Sequence, residues 1–222
     1  MWPYFGTKYR LAPKYPKPEF SKIIEPFAGA AQYSLLHWEK DVTLVDSYEL
    51  VINLWRWLQL CSPNDILSLP DIEFGKSVDD YSFDCVEAKN LVGFIIGMGS
   101  STPRKIASAW STHLRPNRQP MNKKRIASNL YKIKHWKFIL GDYRCVGNTK
   151  ATWFIDPPYQ VGGSQYKHSS IDYVDLSNWC KLREGQTIVC ENGNADWLDF
   201  RFLSDMQGVK KHTKEVVYVQ DR

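Results

Sequence analysis

Short apolar runs alternate with amphipathic stretches along most of the chain. Ile23 to Glu25, Val42 to Ser47, Phe138 to Asp142, Thr152 to Ile155 and Thr187 to Glu191 are rich in β-branched, aromatic and other apolar residues. Continuous runs of this kind suit strands covered on both faces of a parallel sheet. Helical spacing lies between them. One helix opens after the Gly29 turn and runs to about Trp38, and a second carries Leu50, Leu54, Trp55 and Leu58 on one side. Asn122 to Trp136 places Ile126, Leu130 and Ile133 in one buried stripe, and Asp172 to Leu182 forms a further helix. Val216 to Val219 reads as the last strand, one half of an antiparallel edge pair. Strands and helices in alternation predict an α/β fold built on a mostly parallel sheet.

The alternation lapses between Cys61 and about Asp84, where prolines, acids and serines gather. Asn90 to Met98 is apolar enough for a helix, and Gly97 to Pro103 is a flexible break. The expected organisation is one domain made of residues 1–60 and 137–222, interrupted by an inserted lobe at 61–136.

Charge sharpens that division. Between Ala88 and Gly141 there are eleven Lys or Arg residues and no Asp or Glu, which leaves 18 basic against 24 acidic residues elsewhere. A lobe that rests on phosphates would segregate charge in this way, whereas an ordinary solvated face would not. Arg104, Lys105, Arg115, Arg118, Lys123, Lys124 and Arg125 are the candidate phosphate contacts, and Trp110, His113 and Asn117 among them can reach bases. For several of these cations an ordinary surface charge is the plain alternative.

Composition narrows the class. With 222 residues, 43% apolar and 14% aromatic, the chain can bury a substantial core. A mean hydropathy of −0.42 and the lack of a long apolar run argue against a membrane span. The opening Met-Trp-Pro-Tyr-Phe-Gly lacks the pattern of a signal peptide. Cys61, Cys85, Cys145, Cys180 and Cys190 are scattered without a Cys-x-x-Cys pair and read as reduced thiols of a cytoplasmic protein. His37, His135 and His212 have no ligand spacing with them, so no metal is assigned.

The stretch with the most chemistry is Trp153 to Gln160. Two prolines end its strand abruptly because neither can donate to a sheet ladder, so Asp156 is held at a strand's carboxyl end, where open α/β sheets place ligands. The Asp156 carboxylate and the Pro157 carbonyl offer two acceptors for an exocyclic amine, Pro158 stiffens the turn, and the Tyr159 ring can stack on an extruded base. A rigid strand-ending turn is the alternative for this segment alone. The glycine-rich run from Val161 to His168 reads as a segment able to fold over that base. Gly29, after Glu25-Pro26-Phe27-Ala28, permits close backbone approach, and the helix that follows offers N–H groups to a carboxylate. Asp46, at the tip of the next strand, suits either two ribose hydroxyls or a helix cap. Near the N-terminus, Gly6 and Lys8 stand beside aromatics.

Asp156-Pro157-Pro158-Tyr159, the Glu25-Pro26-Phe27-Ala28-Gly29 turn and the Tyr4 to Lys8 segment occur in the order found in Dam-like DNA adenine-N6 methyltransferases, and the chain resembles that family from Trp2 to about Phe200. Ala30 and Ala31 depart from the family pattern, standing where many relatives carry another glycine. The resemblance implies a Rossmann-like S-adenosylmethionine-dependent methyltransferase fold, with a mostly parallel seven-stranded sheet and the helical basic insert as the target-recognition lobe. It implies that S-adenosyl-L-methionine binds against Tyr4, Lys8, Glu25, Phe27, Gly29, Asp46, Asp142 and Asp156. Catalysis falls on Asp156, Pro157, Pro158 and Tyr159. The expected activity is methylation of adenine N6 in duplex DNA after base flipping, in a bacterial cell and in the setting of a chromosome, phage or restriction-modification system. Cytosine N4, an RNA or protein amide acceptor, and a DNA-binding relative without catalysis stay open, as does a homodimer.

Overall fold

The computed structural model describes residues 1–207 and 212–221. Five strands run parallel to their neighbours: β1 (Lys22–Glu25), β2 (Asp41–Asp46), β3 (Lys137–Leu140), β4 (Ala151–Ile155) and β5 (Gly185–Asn192). The last two, β6 (Arg201–Gln207) and β7 (His212–Asp221), pair antiparallel, and β7 also pairs antiparallel with β5. Across the seven-stranded sheet the order is β3-β2-β1-β4-β5-β7-β6. The architecture is α/β with a mixed, mostly parallel sheet, and it is compatible with a Rossmann-like fold. Among the described residues the helices are α1 (Gln32–Leu36), α2 (Glu49–Leu60), α3 (Pro63–Leu67), α4 (Val86–Gly97), α5 (Arg118–Ala127) and α6 (Tyr173–Lys181), joined by short 3-10 turns. None is long and apolar enough to cross a membrane.

The sheet follows the apolar runs. Ile23 and Ile24 of β1 are fully buried, as is every residue of β4, because strands in the middle of a parallel sheet are covered on both faces. β3, at one edge, is largely exposed. From β1 the chain moves outward through β2 to β3, and from β4 it moves the other way to β5. The carboxyl ends of β1 and β4 therefore flank the point where the strand order reverses, the crevice in which such sheets bind ligands.

The chain divides into two compact units, a sheet unit of Lys8–Tyr48 and Trp136–Arg222 and a helical unit of Met1–Thr7 and Glu49–His135. This differs from the boundaries expected at 60/61 and 136/137. α2 belongs to the helical unit because its Trp55 packs against Trp2, with ring centroids 4.8 Å apart, and Trp2 in turn meets Phe94 of α4. Ile72, Val78, Val92, Ile96 and Ala107 form a second apolar cluster of that unit. In the sheet unit Ile24, Trp153, Ile155, Leu176 and Val189 form the core between the strands and α6.

Two helices are shorter than their spacing suggests. α1 stops at Leu36 rather than Trp38, because His37 leaves the helical region at φ −118°, ψ 37°. The helix expected over Asn122 to Trp136 breaks after α5. There the Ser128 hydroxyl and the Asn129 amide both donate to the Arg125 carbonyl, offering it partners other than the next helical N–H. A 3-10 turn over Leu130–Ile133 resumes the path, and Ile126, Leu130 and Ile133 stay buried.

Candidate active site

The turn after β4 is held from several directions. The Pro157 and Pro158 rings are buried and bring no N–H group that would need a partner. The Pro158 carbonyl accepts from the Tyr173 hydroxyl at 2.6 Å. Glu191, fully buried at the end of β5, accepts the Gln160 N–H at 2.9 Å and the Trp197 indole N–H at 3.1 Å through Oε2, and the Asn192 N–H at 2.8 Å through Oε1. Asp156, with 18% of its side chain exposed, forms an ion pair with the buried Lys8 ammonium at 2.8 Å. That ammonium also lies 4.7 Å from the centre of the Tyr159 ring, within cation–π range. The Tyr159 hydroxyl donates to Glu215 Oε1 at 2.5 Å, and the Tyr15 hydroxyl donates to the same oxygen at 2.5 Å. Among the described residues no donor engages the Pro157 carbonyl.

The electrostatics follow from burial. Burial pushes the Asp156 carboxyl above its usual range, and the Lys8 ammonium works against that rise. Burial by itself would lower Lys8, but the carboxylates of Asp156 and Glu215 outweigh it and keep the ammonium charged. Burial first, and neighbouring carboxylates second, hold Tyr159 well above the usual phenol range, so it is a neutral donor. Glu215 is raised by burial, against the pull of Lys8 and the two tyrosine hydroxyls.

The β1–α1 turn stands beside this site. Gly29 has φ 44°, and Ala31, which starts α1, has φ 45°, a left-handed conformation that costs an L-residue roughly 1–2 kcal/mol. The Gly29 N–H donates to Asp46 Oδ2 at 3.0 Å, and the Tyr48 N–H to Asp46 Oδ1 at 2.8 Å. Asp46 thus ties the two strand tips together. Glu25 is buried and accepts the Ser34 N–H of α1 at 2.8 Å. That N–H, expected to face a bound carboxylate, is taken by the chain itself. Phe27, Ser47, Asp142, Tyr143 and the 167–171 segment line a cavity of about 360 Å³ at the ends of β1, β2 and β3. Asp142 caps the 3-10 turn that follows it and pairs with Arg144 at 2.7 Å.

Tyr4 lies in the helical unit, where its ring meets Phe94 edge-on at 5.6 Å. Of the basic candidates in that unit, Arg104, Lys105, Arg115, Lys124 and Arg125 are exposed. Arg115 lies over the exposed Trp110 ring at 5.6 Å, and the exposed Phe74 meets His113 edge-on at 4.8 Å. Arg118 is half-buried, and burial together with the neighbouring Arg115 and Arg125 depresses its basicity, so an anion there would relieve like-charge crowding. Lys123 is a correction to the candidate contacts. It is buried, donates to the Leu69 carbonyl at 2.6 Å and pairs with Asp71 at 2.9 Å, because its four-carbon stem runs inward from α5.

The sheet unit therefore brings Lys8, Asp156 and Tyr159 together, with Glu25, Phe27, Gly29, Asp46 and Asp142 along the adjoining strand ends. Sequence reasoning missed Glu215 and Tyr15. Glu215 precedes the apolar run Val216 to Val219 and reads as the wet end of a strand, and Tyr15 lies among prolines and lysines. Neither carries a local signal of burial. Among the described residues no group of three His, Cys, Asp or Glu side chains is placed to hold a metal ion.

No family model matches the chain, and no curated protein sequence matches it. Among solved structures, a conserved hypothetical protein from Streptococcus pyogenes is similar over 90% of this chain and 86% of its own, at 8% identity and a TM-score of 0.36.

Proposed function

We propose that this chain is a DNA methyltransferase that moves a methyl group from S-adenosylmethionine to the exocyclic N6 of a flipped adenine. The observation that carries the reading is the Asp156-Pro157-Pro158-Tyr159 turn at the reversal point of the sheet, with its carboxylate paired to Lys8 and its aromatic ring anchored by Glu215. The mixed seven-stranded sheet supports it, being of the kind the family resemblance implies.

The residues present fit the cofactor. Phe27 offers an apolar face to an adenine ring, and Asp142 offers an acceptor to its amino group, both in the cavity at the strand ends. Asp46 gives one lone pair on each oxygen to a backbone N–H and keeps about one more on each for ribose hydroxyls. When bound, S-adenosylmethionine supplies a methyl group made electrophilic by its positive sulfonium.

The chain's own part is to hold the amine. Its lone pair is delocalised into the base, and acceptors on both N–H bonds favour the pyramidal nitrogen needed for attack. Asp156 Oδ and the Pro157 carbonyl are those acceptors. Lys8 favours the ionised form of Asp156 against the effect of burial but also occupies one of its oxygens, so the amine must share that oxygen or displace the ammonium. Tyr159 stacks on the base, which is extruded because its target atom is out of reach inside the duplex. The helical unit, with its exposed arginines and lysines, supports duplex DNA as the partner.

The test is incubation of the protein with unmethylated duplex DNA and methyl-labelled S-adenosylmethionine, followed by nucleoside analysis. Label in N6-methyldeoxyadenosine is the expected result. Label in N4-methylcytosine keeps the mechanism and changes the base. The Asp156→Ala variant should lose turnover at least about a thousandfold while binding DNA with near wild-type affinity; equal turnover would sink the assignment.

A further inference from the structure

We infer that Glu215 is a positioning residue for this reaction, acting through the Tyr159 hydroxyl to set the plane on which the target base stacks. The inference rests on the methyltransferase reading and adds to it a residue outside the resembling motifs.

The geometry is specific. Glu215 is 5% exposed on β7, opposite Asn192 of β5 in the strand register, so the backbone that carries it is paired on both sides by β5 and β6. One of its oxygens accepts both the Tyr159 and the Tyr15 hydroxyls. Tyr15 is itself buried, its ring edge-on to Phe154 of β4 at 5.1 Å and its phenol raised by burial, so it is a rigid neutral donor. Tyr159 is thus gripped at two points far apart along the residue: its backbone by the Pro-Pro turn and its hydroxyl by the sheet. A ring held only at its backbone can still turn about its side-chain bonds. A ring also held at its hydroxyl cannot turn without breaking a buried charge-assisted hydrogen bond. Stacking a base on that ring presents its amine to Asp156 and Pro157 at a set distance and angle, and a misplacement of about 1 Å can cost about a hundredfold in rate. A family motif that ends at the tyrosine does not reveal this support, because it comes from a strand more than fifty residues further along.

The experiment is single-turnover methyl transfer to unmethylated duplex DNA of mixed sequence, with cofactor and DNA affinities measured on the same proteins. Tyr159→Phe keeps the ring and removes the hydroxyl. Its rate should fall about tenfold, with both dissociation constants within about threefold of wild type. Glu215→Leu should fall about as far, and Glu215→Gln, which keeps an acceptor oxygen, should recover most of the loss. In the Tyr159→Phe background Glu215→Leu should cost less than about threefold more, since the two act through one bond. If Glu215→Leu does not fold, Tyr159→Phe reads the same bond from its other end. Rates for Tyr159→Phe within twofold of an active wild type would overturn the inference and leave the methyltransferase reading standing. Additive losses in the double variant would overturn it in the same way. A wild type that transfers no label to any DNA, despite binding the cofactor, would remove both.

Discussion

Glu25 shows how far one residue can depart from its ordinary chemistry. It is 2% exposed, and burial pushes its carboxyl up to about 8, against the hydrogen bonds from Ser34 that favour the charged form. In the unfolded chain Glu25 loses its proton near the usual carboxylate value, while in the folded protein it keeps the proton to about 8. Its contribution to stability is thus fully present below the unfolded value and is lost as pH rises through that window, by roughly 3–5 kcal/mol in all. Asp46, Asp156, Glu191 and Glu215 are raised by burial too and slope the same way, so the informative quantity is a difference. Glu25→Gln keeps an acceptor for the Ser34 N–H and has no proton to lose. Chemical denaturation of both proteins between about pH 5 and 9 should show the variant gaining on wild type as pH rises. Parallel pH profiles would show that Glu25 is ionised in the fold.

Elements are legible in the sequence where a local pattern and the final packing coincide. β4 is legible because an apolar run ends in two residues that cannot continue a ladder, and α6 because Asp172 caps it, accepting from the N–H groups of Val174 and Asp175. The break after α5 is not, because Ser128 and Asn129 are tolerated in a helix and become breakers only when their side chains turn back to the Arg125 carbonyl. The site divides in the same way. Asp156 and Tyr159 stand in a motif, whereas Glu215 and Tyr15 reach it through strand register and ring packing, which no short window encodes. The glycine-rich 161–168 stretch has the composition of a segment free to fold over a bound base. Within it the Gly163 N–H donates to the Tyr159 carbonyl at 3.0 Å, and a Cβ on Gly163 would lie 2.9 Å from the Pro158 carbonyl carbon. Gly163 thus packs behind the turn. Gly163→Ala must therefore push Pro158 or tilt the 3-10 turn, a small change in stability placed directly behind the proposed amine acceptors. Its methyl-transfer rate should drop about tenfold or more while the thermal midpoint falls by only a few degrees. An unchanged rate would show that the Pro158 backbone yields freely.

At the scale of the whole molecule the charge pattern is the strongest statement, and ten of its eleven cations belong to the helical unit, the other, Lys137, lying on β3. Eleven basic residues without an acid between Ala88 and Gly141 set up a positive potential that a polyanion would answer. The structure separates cations that serve the fold from cations that face solvent. Lys123 is spent internally on Leu69 and Asp71, whereas Arg104, Lys105, Arg115 and Lys124 are exposed. The two groups should therefore fail differently. Replacing Arg104, Lys105, Arg115 and Lys124 together with alanine should weaken DNA binding alike for all sequences. It should also reduce the slope of log affinity against log salt by about 3–4, since each phosphate that a cation neutralises adds about 0.9 to it, with little change in stability. Lys123→Ala should leave the salt slope unchanged and cost about 1–3 kcal/mol of folding stability, because it leaves the Leu69 carbonyl without its donor and removes a buried side chain, while the half-exposed Asp71 carboxylate turns to water. Salt titrations of DNA binding, set beside denaturation curves for the two variants, measure both quantities. If the fourfold variant kept the wild-type slope, the phosphates would have to rest on another face of the protein, and the charge segregation of this unit would need another cause.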